Sequence, residues 1–253
     1  MSSDDRCLLV RGSELVCDAG GTPFLSADLA GRLAAEDASL LSTDIVRTTW
    51  MQPDSRLPDG LEARSLRSLF GELPDADFWR AGRAYQLAHW DRTHRFCGVC
   101  GAGTMLCGGE VARCCPSCGH TIYPRISPAV IMAVVREGTL LLAHNAQRRH
   151  PFYSVLAGFV EPGESLEECV VREVAEETSI VCGNVRYFTS QPWPFPDSLM
   201  IAFTAEYVSG EIRVDNDEID HAFWCSPDEL PKIPPPPSVA RKLIDWFARK
   251  YGS

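Results

Sequence analysis

A dense group of acidic residues lies between Gly158 and Ile180. Helical periodicity places three of its glutamates, Glu173, Glu176 and Glu177, on about 100° of one helix face. Three like charges so placed repel one another, and hard divalent cations that prefer oxygen ligands relieve the repulsion. Such cations also bridge pyrophosphate oxygens and activate water. The pattern therefore predicts metal-dependent phosphate chemistry, although a solvated acidic helix face carries similar charges.

Two Cys-x-x-Cys turns form a second group of residues that could do chemistry. Each turn is followed by a glycine, and together they supply Cys97, Cys100, Cys115 and Cys118. Two thiolates at this spacing grip a tetrahedral Zn²⁺ from a tight turn, and four thiolates leave no coordination position for water. The turns therefore predict a structural zinc site that stabilises the fold, with a redox pair or disulfides as alternatives.

Two more cysteines, Cys107 and Cys114, lie between these turns. Cys114 could replace Cys115 as a ligand, but only Cys115 has the Cys-x-x-Cys relation to Cys118. We interpret Cys107 and Cys114 as small filler thiols without a role. Zinc ribbons also bind nucleic acid, so the ribbon by itself leaves an interaction protein open.

The elements that must position these side chains follow from hydrophobic periodicity. The acidic helix begins with a capping box formed by Ser165 and Glu168. The other predicted elements of this half are hairpin strands Ala129–Val135 and Thr139–Ala143, strands near Met200–Tyr207 and Ala222–Trp224, and a helix capped by Ser238 that buries Leu243, Ile244 and Phe247. Strands that alternate with helices predict an α/β fold.

Composition shifts divide the chain into three predicted domains. Residues 1–93 form an N-terminal α+β domain with a helix from Asp75, on which Phe78, Ala81, Tyr85 and Ala88 recur at helical spacing. This domain has no metal, phosphate or nucleophile signature, which favours a packing or dimerisation role. Residues 94–123 form the zinc ribbon, and residues 124–253 form the catalytic domain.

The charge balance limits the partners of the chain. Its net charge of −10 disfavours broad electrostatic binding to nucleic acid or an anionic membrane. We find no apolar run long enough to span a bilayer and no pattern typical of a signal peptide. We therefore expect a cytoplasmic protein without a membrane partner.

The acidic stretch resembles the Nudix box, written G-x5-E-x7-R-E-U-x-E-E-x-G-U, in which U is an aliphatic residue. The resemblance implies an α/β/α sandwich with a mixed sheet, in which the box forms a loop, a helix and a second loop. It assigns Glu173, Glu176 and Glu177 to catalytic Mg²⁺ or Mn²⁺. Glu164 would support the metal site, and Arg172 would orient the glutamates through charge-assisted hydrogen bonds.

One position departs from the Nudix box. Ser179 stands where the family has a glycine, directly after the predicted helix. If this position needs a positive φ, a residue with a Cβ atom strains the turn by roughly 1 kcal/mol. The carboxylates are unaffected, so we expect a change in turn geometry and not in activity.

The segment Ser190–Ser198 is similar to the SQPWPFPxS signature of the NADH pyrophosphatase subfamily. This resemblance implies that Phe159 and Tyr123 sandwich a nicotinamide ring, with the tyrosine coming from the other subunit of a homodimer. Glu218 would be a further metal ligand. The other residues that the resemblance places along the dinucleotide pocket are Gln191, Ser198, Met200 and Ala240.

The resemblance implies hydrolysis of the pyrophosphate bond of NADH and NAD⁺ to nicotinamide mononucleotide and AMP. It extends to the removal of NAD caps from RNA 5′ ends. One alternative keeps the chemistry but changes the substrate to ADP-ribose or diadenosine polyphosphates. Another is a non-catalytic nucleotide sensor, and the intact glutamates argue against it.

Overall fold

The computed structural model describes residues 6–36, 38, 40–43, 46–146, 152–214 and 216–252. The chain divides into two compact units. The first consists of Met1–Ile126 together with Pro194–Asp197, and the second consists of Ser127–Trp193 and Ser198–Ser253. Each unit has its own hydrophobic core.

The first unit contains a six-stranded sheet with a helix on each face. Its elements are β1 (Arg6–Arg11), β2 (Glu14–Asp18), β3 (Leu25–Ser26), α1 (Ala27–Leu33), β4 (Leu41–Ser42), β5 (Arg47–Met51), β6 (Leu61–Ser65) and α2 (Asp75–Thr93). The strand order is β4-β5-β1-β2-β6, and the short strand β3 pairs antiparallel with the first two residues of β1. Alternate residues of β1 face opposite sides, so that Leu8 packs in the cluster with α2 and Leu9 in the cluster with α1.

Helix α2 confirms the prediction made from Phe78, Ala81, Tyr85 and Ala88, all of which are buried. Near its end, the carboxylate of Asp91 is fully buried. It accepts a hydrogen bond of 2.9 Å from Trp50 Nε1 and forms an ion pair with Arg113. Loss of one partner of such a pair leaves an uncompensated buried charge, which costs about 3–5 kcal/mol.

Arg113 belongs to a small three-stranded antiparallel sheet in the same unit. Its strands are β7 (Met105–Leu106), β8 (Arg113–Cys114) and β9 (Thr121–Ile122). The side chain of Thr104 accepts a hydrogen bond of 2.7 Å from Arg113 Nε and donates one of 2.7 Å to the carbonyl of His94. These bonds join the predicted ribbon to the end of α2.

The second unit contains a seven-stranded mixed sheet. Its strands are β10 (Ser127–Arg136), β11 (Thr139–Asn145), β12 (Tyr153–Ser154), β13 (Leu156–Phe159), β14 (Val181–Trp193), β15 (Ser198–Ser209) and β16 (Ile219–Cys225). Strand β10 is parallel to β15 and antiparallel to β11 and β13. The predicted hairpin of β10 and β11 is confirmed, and it turns at Glu137 and Gly138, both with positive φ.

Two longer helices cover the faces of this sheet, and a 3₁₀ turn (Pro227–Glu229) precedes the second. They are α3 (Leu166–Thr178) and α4 (Val239–Tyr251). On β10, Val130 and Met132 pack in the cluster with α3, whereas Ile131 and Ala133 pack in the cluster with α4. This alternation gives the expected α/β/α sandwich.

Both helices begin as the sequence predicts. The hydroxyl of Ser238 caps α4 by accepting a hydrogen bond of 3.3 Å from the backbone N–H of Arg241, and Leu243, Ile244 and Phe247 are fully buried. In the described ranges, none of the helices combines the length and apolar character needed to span a membrane.

Candidate active site

The acidic helix α3 starts at the predicted capping box. Ser165 Oγ accepts a hydrogen bond of 3.3 Å from the backbone N–H of Glu168, and Glu168 Oε2 accepts one of 2.8 Å from the backbone N–H of Ser165. The box fixes the first turn of the helix. The acidic residues that follow therefore have a defined position on the helix face.

Arg172 is the central residue of the acidic cluster. Its guanidinium donates hydrogen bonds to carboxylate oxygens of three glutamates and to one backbone carbonyl. The distances are 2.6 and 3.0 Å to Glu164, 2.8 Å to Glu173, 3.0 Å to Glu176 and 3.0 Å to the carbonyl of Phe159. A planar guanidinium suits such multiple contacts because its five N–H groups have fixed directions. The structure thus brings Arg172 and these glutamates together as predicted.

Glu164 holds the guanidinium of Arg172 in a bidentate contact. Its carboxylate also accepts a hydrogen bond of 2.7 Å from the backbone N–H of Glu161. Hydrogen bonds from Arg172 and from this N–H lower the pKa of Glu164 to about 2. Glu164 is therefore ionised at neutral pH and fixes the position of Arg172.

Gly158 leaves room for the carboxylate of Glu173. A Cβ atom added to Gly158 would lie 1.9 Å from Glu173 Cδ and 2.1 Å from each carboxylate oxygen. Gly158 pairs with Val130, whose side chain faces α3. The glycine at the start of the Nudix-like stretch is thus required by a close approach of Glu173 to the backbone.

The four predicted metal-binding glutamates differ in exposure. Glu177 is buried, the side chain of Glu173 is 13% exposed, and that of Glu176 is 62% exposed. Burial, with the negative charges of Glu176 and Glu218, raises the pKa of Glu173, although Arg172 acts in the opposite direction. Glu218 is exposed just before β16, and its charge is thus close enough to act on Glu173.

These carboxylates fit a hard divalent cation by their chemistry. All of the donors are oxygens, and buried like-charged carboxylates need a compensating charge. The space next to Gly158 holds the carboxylate of Glu173 against the backbone. No three of these four side chains have donor atoms within 4.8 Å of one another, and Glu173 and Glu176 contact Arg172 instead.

Helix α3 ends at Ser179, which has the left-handed conformation that the Nudix-like pattern implied. Its φ is 60° and its ψ is 17°. The backbone N–H of Ser179 donates to the carbonyl of Ala175 at 2.9 Å, and its hydroxyl donates to the carbonyl of Arg213 at 3.3 Å. The position thus needs a positive φ, and Ser179 adopts the left-handed turn that a glycine would give, so the expected change in turn geometry is wrong.

Three of the predicted pocket residues lie in one row across the sheet. Ala129 pairs with Phe159 on one side and with Met200 on the other, and Met200 pairs with Gln191. Because successive residues of a strand face opposite sides, Phe159 lies on the α4 face and Gly158 on the α3 face. Phe159 is 60% exposed, which leaves its ring accessible.

Gln191 is buried and its amide is already bound. Its Nε2 donates to the carbonyl of Pro237 at 3.0 Å, and its Oε1 accepts from the backbone N–H of Val239 at 2.8 Å. Gln191 therefore positions the start of α4, where Ala240 is the second residue. Ser198 is also buried, at the first position of β15.

Tyr123 follows β9 in the first unit and is 58% exposed. Its hydroxyl has no described hydrogen bond, whereas its neighbours Thr121 and Ile122 are fixed by pairing with β8. An accessible ring on a short, supported segment is compatible with stacking.

The four predicted zinc ligands converge in the first unit. Among the described residues, they form the one group of three or more potential ligands whose donor atoms all lie within 4.8 Å of one another. The Sγ atoms of Cys97 and Cys118 are 3.6 Å apart, and those of Cys100 and Cys115 are 3.5 Å apart. Tetrahedral Zn²⁺ with Zn–S bonds of about 2.3 Å requires sulfur separations of about 3.8 Å. The site fits a closed structural zinc.

The glycines after the two turns have the left-handed conformation that closes each tight turn. Gly101 and Gly119 both have a φ of 75°, and their N–H groups donate to the carbonyls of Cys97 and Cys115 at 2.9 Å. The backbone N–H of Cys118 lowers the pKa of Cys115 to about 7. Thiolates are the form that binds metal, so this geometry favours ligation.

The interpretation of Cys107 and Cys114 as filler thiols is wrong. The two residues form a disulfide. Strand β8 pairs with β7 so that Cys114 lies opposite Met105, and this register brings the Cα atoms of Cys107 and Cys114 to 5.4 Å. That separation is within the ordinary range for a disulfide. The pairing also excludes Cys114 as a zinc ligand.

The sequence prediction omitted Cys169, which is buried beside the cluster. Its thiol donates to the carbonyl of Phe159 at 3.4 Å and accepts from Arg172 Nη2 at 3.3 Å. Burial raises the pKa of this thiol to about 12. The signal was present, because Cys169 precedes Arg172 by three positions and such residues are neighbours on a helix.

Known proteins resemble this chain along most of its length. Residues 125–247 match the model of the NUDIX domain, residues 92–123 match the NADH pyrophosphatase zinc ribbon domain, and residues 4–90 match the NADH pyrophosphatase-like rudimentary NUDIX domain. A NUDIX hydrolase structure from Nitrosomonas europaea has a TM-score of 0.54 at 20% identity and covers 62% of this chain and 91% of its own. The fold of the second unit is thus that of a Nudix hydrolase.

Two relatives make the assignment narrower. The NAD-capped RNA hydrolase NudC of Photobacterium profundum is 49% identical over 179 residues, which are 71% of this chain and 67% of the relative. That of Klebsiella pneumoniae is 46% identical over 198 residues, which are 78% of this chain and 76% of the relative. The chain belongs to the NADH pyrophosphatase family of Nudix hydrolases. Enzymes of this class use Mg²⁺ or Mn²⁺, and the ribbon cysteines suit structural Zn²⁺.

Proposed function

We propose that the chain hydrolyses the pyrophosphate bond of NADH and NAD⁺ to nicotinamide mononucleotide and AMP, and that it removes NAD caps from RNA 5′ ends. The observation that carries this proposal is the contact of Arg172 with three carboxylates beside Gly158. The names of the relatives and of the matching ribbon domain support the substrate.

The residues of the cluster have two roles in the reaction, metal binding and the positioning of the metal-binding carboxylates. Glu173, Glu176, Glu177 and Glu218 would hold Mg²⁺ or Mn²⁺, which supplies positive charge to the diphosphate and lowers the pKa of water. Arg172 keeps two of these carboxylates in position, and Glu164 in turn keeps Arg172 in position. No covalent enzyme intermediate is needed, because water attacks one phosphorus directly.

Steady-state kinetics with Mg²⁺ or Mn²⁺ test this function. We expect release of nicotinamide mononucleotide from NADH, NAD⁺ and NAD-capped RNA, and the ratio of kcat/KM values ranks the three substrates. Faster hydrolysis of ADP-ribose or diadenosine polyphosphates would replace the proposed substrate within the same chemistry. Tight nucleotide binding without any hydrolysis would identify a sensor.

We also propose that Phe159 and Tyr123 clamp the nicotinamide ring. Both rings are more than half exposed, and a stacked base on an aromatic side chain contributes about 1–3 kcal/mol. Phe159→Ala and Tyr123→Ala should weaken hydrolysis of NADH more than that of ADP-ribose, which lacks this ring. Tyr187→Ala is a matched control, since Tyr187 is 64% exposed and its ring packs against Phe203, which is not among the predicted pocket residues. Equal losses on both substrates would refute the clamp.

The tyrosine would come from the partner subunit of a homodimer, and complementation tests this arrangement. Two impaired forms, Glu177→Gln and Tyr123→Ala, are co-expressed with different tags, and the mixed dimer is purified. If Tyr123 acts across the dimer, one site of the mixed dimer contains both native side chains and recovers NADH hydrolysis. If Glu177 and Tyr123 of one subunit belong to the same active site, each site of the mixed dimer lacks one of them and NADH hydrolysis does not recover.

For RNA, the charge of −10 offers no broad basic track along the chain, so binding should depend on the cap and the first nucleotides. We expect faster removal of the cap from an unpaired 5′ end than from a paired one. Transcripts with single-stranded or blunt paired 5′ ends test this through the release of nicotinamide mononucleotide. A cytoplasmic location stays a prediction of the sequence.

A further inference from the structure

Four residues of the connection between β14 and β15 belong to the first compact unit. They are Pro194–Asp197, whereas the strands on either side belong to the second unit. The segment lies within the stretch Ser190–Ser198, for which the sequence predicts dinucleotide binding. Contacts with residues of the first unit therefore determine where this segment lies.

Gly82 in the middle of α2 receives the ring of Pro194. A Cβ atom on Gly82 would lie 2.8 Å from Pro194 Cγ and 3.4 Å from Pro194 Cβ. A glycine inside a helix costs about 0.5–1 kcal/mol relative to alanine. Gly82 has a helical φ, so close packing of the proline ring is the reason for a glycine here.

Two further contacts hold the same segment. The ring of Phe195 packs against the core cluster that contains α2, and the guanidinium of Arg67 lies 4.2 Å above that ring. The carboxylate of Asp197 lies 3.9 Å from Arg125 Nε. The contacts of Pro194, Phe195 and Asp197 together fix this short segment more strongly than any one of them would.

We propose that Gly82 and Arg67 are positioning residues for dinucleotide binding, because they fix Pro194–Asp197 and hence the ends of β14 and β15. The buried residues Gln191 and Ser198 stand three positions before and one position after this segment. Gln191 also holds the start of α4 through Pro237 and Val239. The first unit, which carries no catalytic signature, thereby contributes to substrate affinity. The substrate part of this inference rests on the proposed function.

The test compares two glycines on helices of the same unit. In Gly82→Ala the new Cβ overlaps a rigid ring, so the segment must move, whereas in Gly31→Ala on α1 the new Cβ meets nothing within 4 Å. We expect Gly82→Ala to raise KM for NADH about tenfold or more with little change in kcat, because substrate contacts are displaced and the carboxylates are not. Gly31→Ala should keep the KM of the parent.

A second readout does not depend on activity. Amide hydrogen exchange of a peptide that covers residues 190–199, measured by mass spectrometry, should become faster in Gly82→Ala and stay unchanged in Gly31→Ala. If the full chain fails to hydrolyse NADH, the proposed function is wrong, and the exchange measurement still tests whether the segment is fixed. Parent-like exchange in a folded Gly82→Ala would overturn the inference, and so would faster exchange with unchanged KM.

Two more variants keep the test decisive. Pro194→Ala removes the Cγ atom that the new Cβ meets, so Gly82→Ala with Pro194→Ala should have a lower KM than Gly82→Ala by itself. If Gly82→Ala does not fold, the Arg67→Ala variant provides the test instead. Arg67 is exposed, so loss of its side chain leaves the core intact. Faster exchange with a raised KM in Arg67→Ala supports the inference, and parent values for both contradict it.

Discussion

Replacement of Gly158 by Ala tests the geometry of the site without altering an ionisable residue. The added Cβ would lie 1.9–2.1 Å from the carboxylate of Glu173, whereas ordinary contacts need about 3.5 Å. The carboxylate must therefore move by more than about 1 Å. A displacement of this size at a reacting site costs about 100-fold in rate. The movement also breaks the hydrogen bond of 2.8 Å from Arg172, and a bond to a charged group contributes about 1.5–3 kcal/mol to stability.

The assay for Gly158→Ala combines kcat on NADH with urea unfolding. Gly183→Ala on β14 is the control, because its new Cβ meets only one methyl group of the exposed Val208, at 3.2 Å. In a Glu173→Ala background the overlap is gone, so Gly158→Ala should lose most of its effect on the free energy of unfolding. Parent-like turnover in Gly158→Ala, or the same stability loss in both backgrounds, would refute the reasoning.

Three other predictions test, one at a time, the metal-binding glutamates, the zinc ribbon and the ion pair of Glu164. Glu177→Gln should lower kcat by roughly three orders of magnitude with little change in Tm, and a loss below about tenfold would rule out a metal-holding role. Cys97→Ser should give unfolded, zinc-free protein while Cys107→Ser keeps its zinc by atomic absorption, and zinc loss in both would contradict the ribbon assignment. The pKa of Glu164 is about 2 in the folded chain, so its contribution to stability is present above about pH 4.5 and is lost as the pH falls toward 2. The difference in unfolding free energy between the parent and Glu164→Gln should therefore shrink from about pH 6 to about pH 3, and a constant difference would count against this ion pair.

The sequence predicted elements whose signal is local. Periodicity found α2, α3 and α4, and apolar runs around a turn found β10 and β11. The first unit was predicted to be an α+β domain, but none of its strands was located. Its strands β3 and β4 have two residues each, and β1 pairs in parallel with β5, where Leu8 lies opposite Thr48. A short strand whose partner is so distant in the chain has no periodic signature of its own.

The same distinction applies to the site. Arg172 and its glutamates were found because they lie within one helix and the loop before it. Gln191 was predicted to line the dinucleotide pocket, but the hydrogen bonds of its amide with the backbone of Pro237 and Val239 were not predicted. The buried pair of Asp91 and Arg113 left no trace in the sequence either. Such contacts join distant segments, and only the tertiary structure selects them.

Ser179 stands where the Nudix box has a glycine, and the structure explains why the strain of its positive φ costs little stability. The left-handed conformation of a residue with a Cβ atom costs about 1–2 kcal/mol. The hydroxyl donates to the carbonyl of Arg213, and such a bond contributes about 0.5–1.5 kcal/mol, which offsets most of the strain. A glycine would relieve the strain but lose this bond, and its greater freedom in the unfolded chain would cost a further 0.4–1 kcal/mol or so. Because the two effects nearly cancel, α3 can end at Ser179, and Glu176 and Glu177 in its last turn keep the position that a glycine at the helix end would give them.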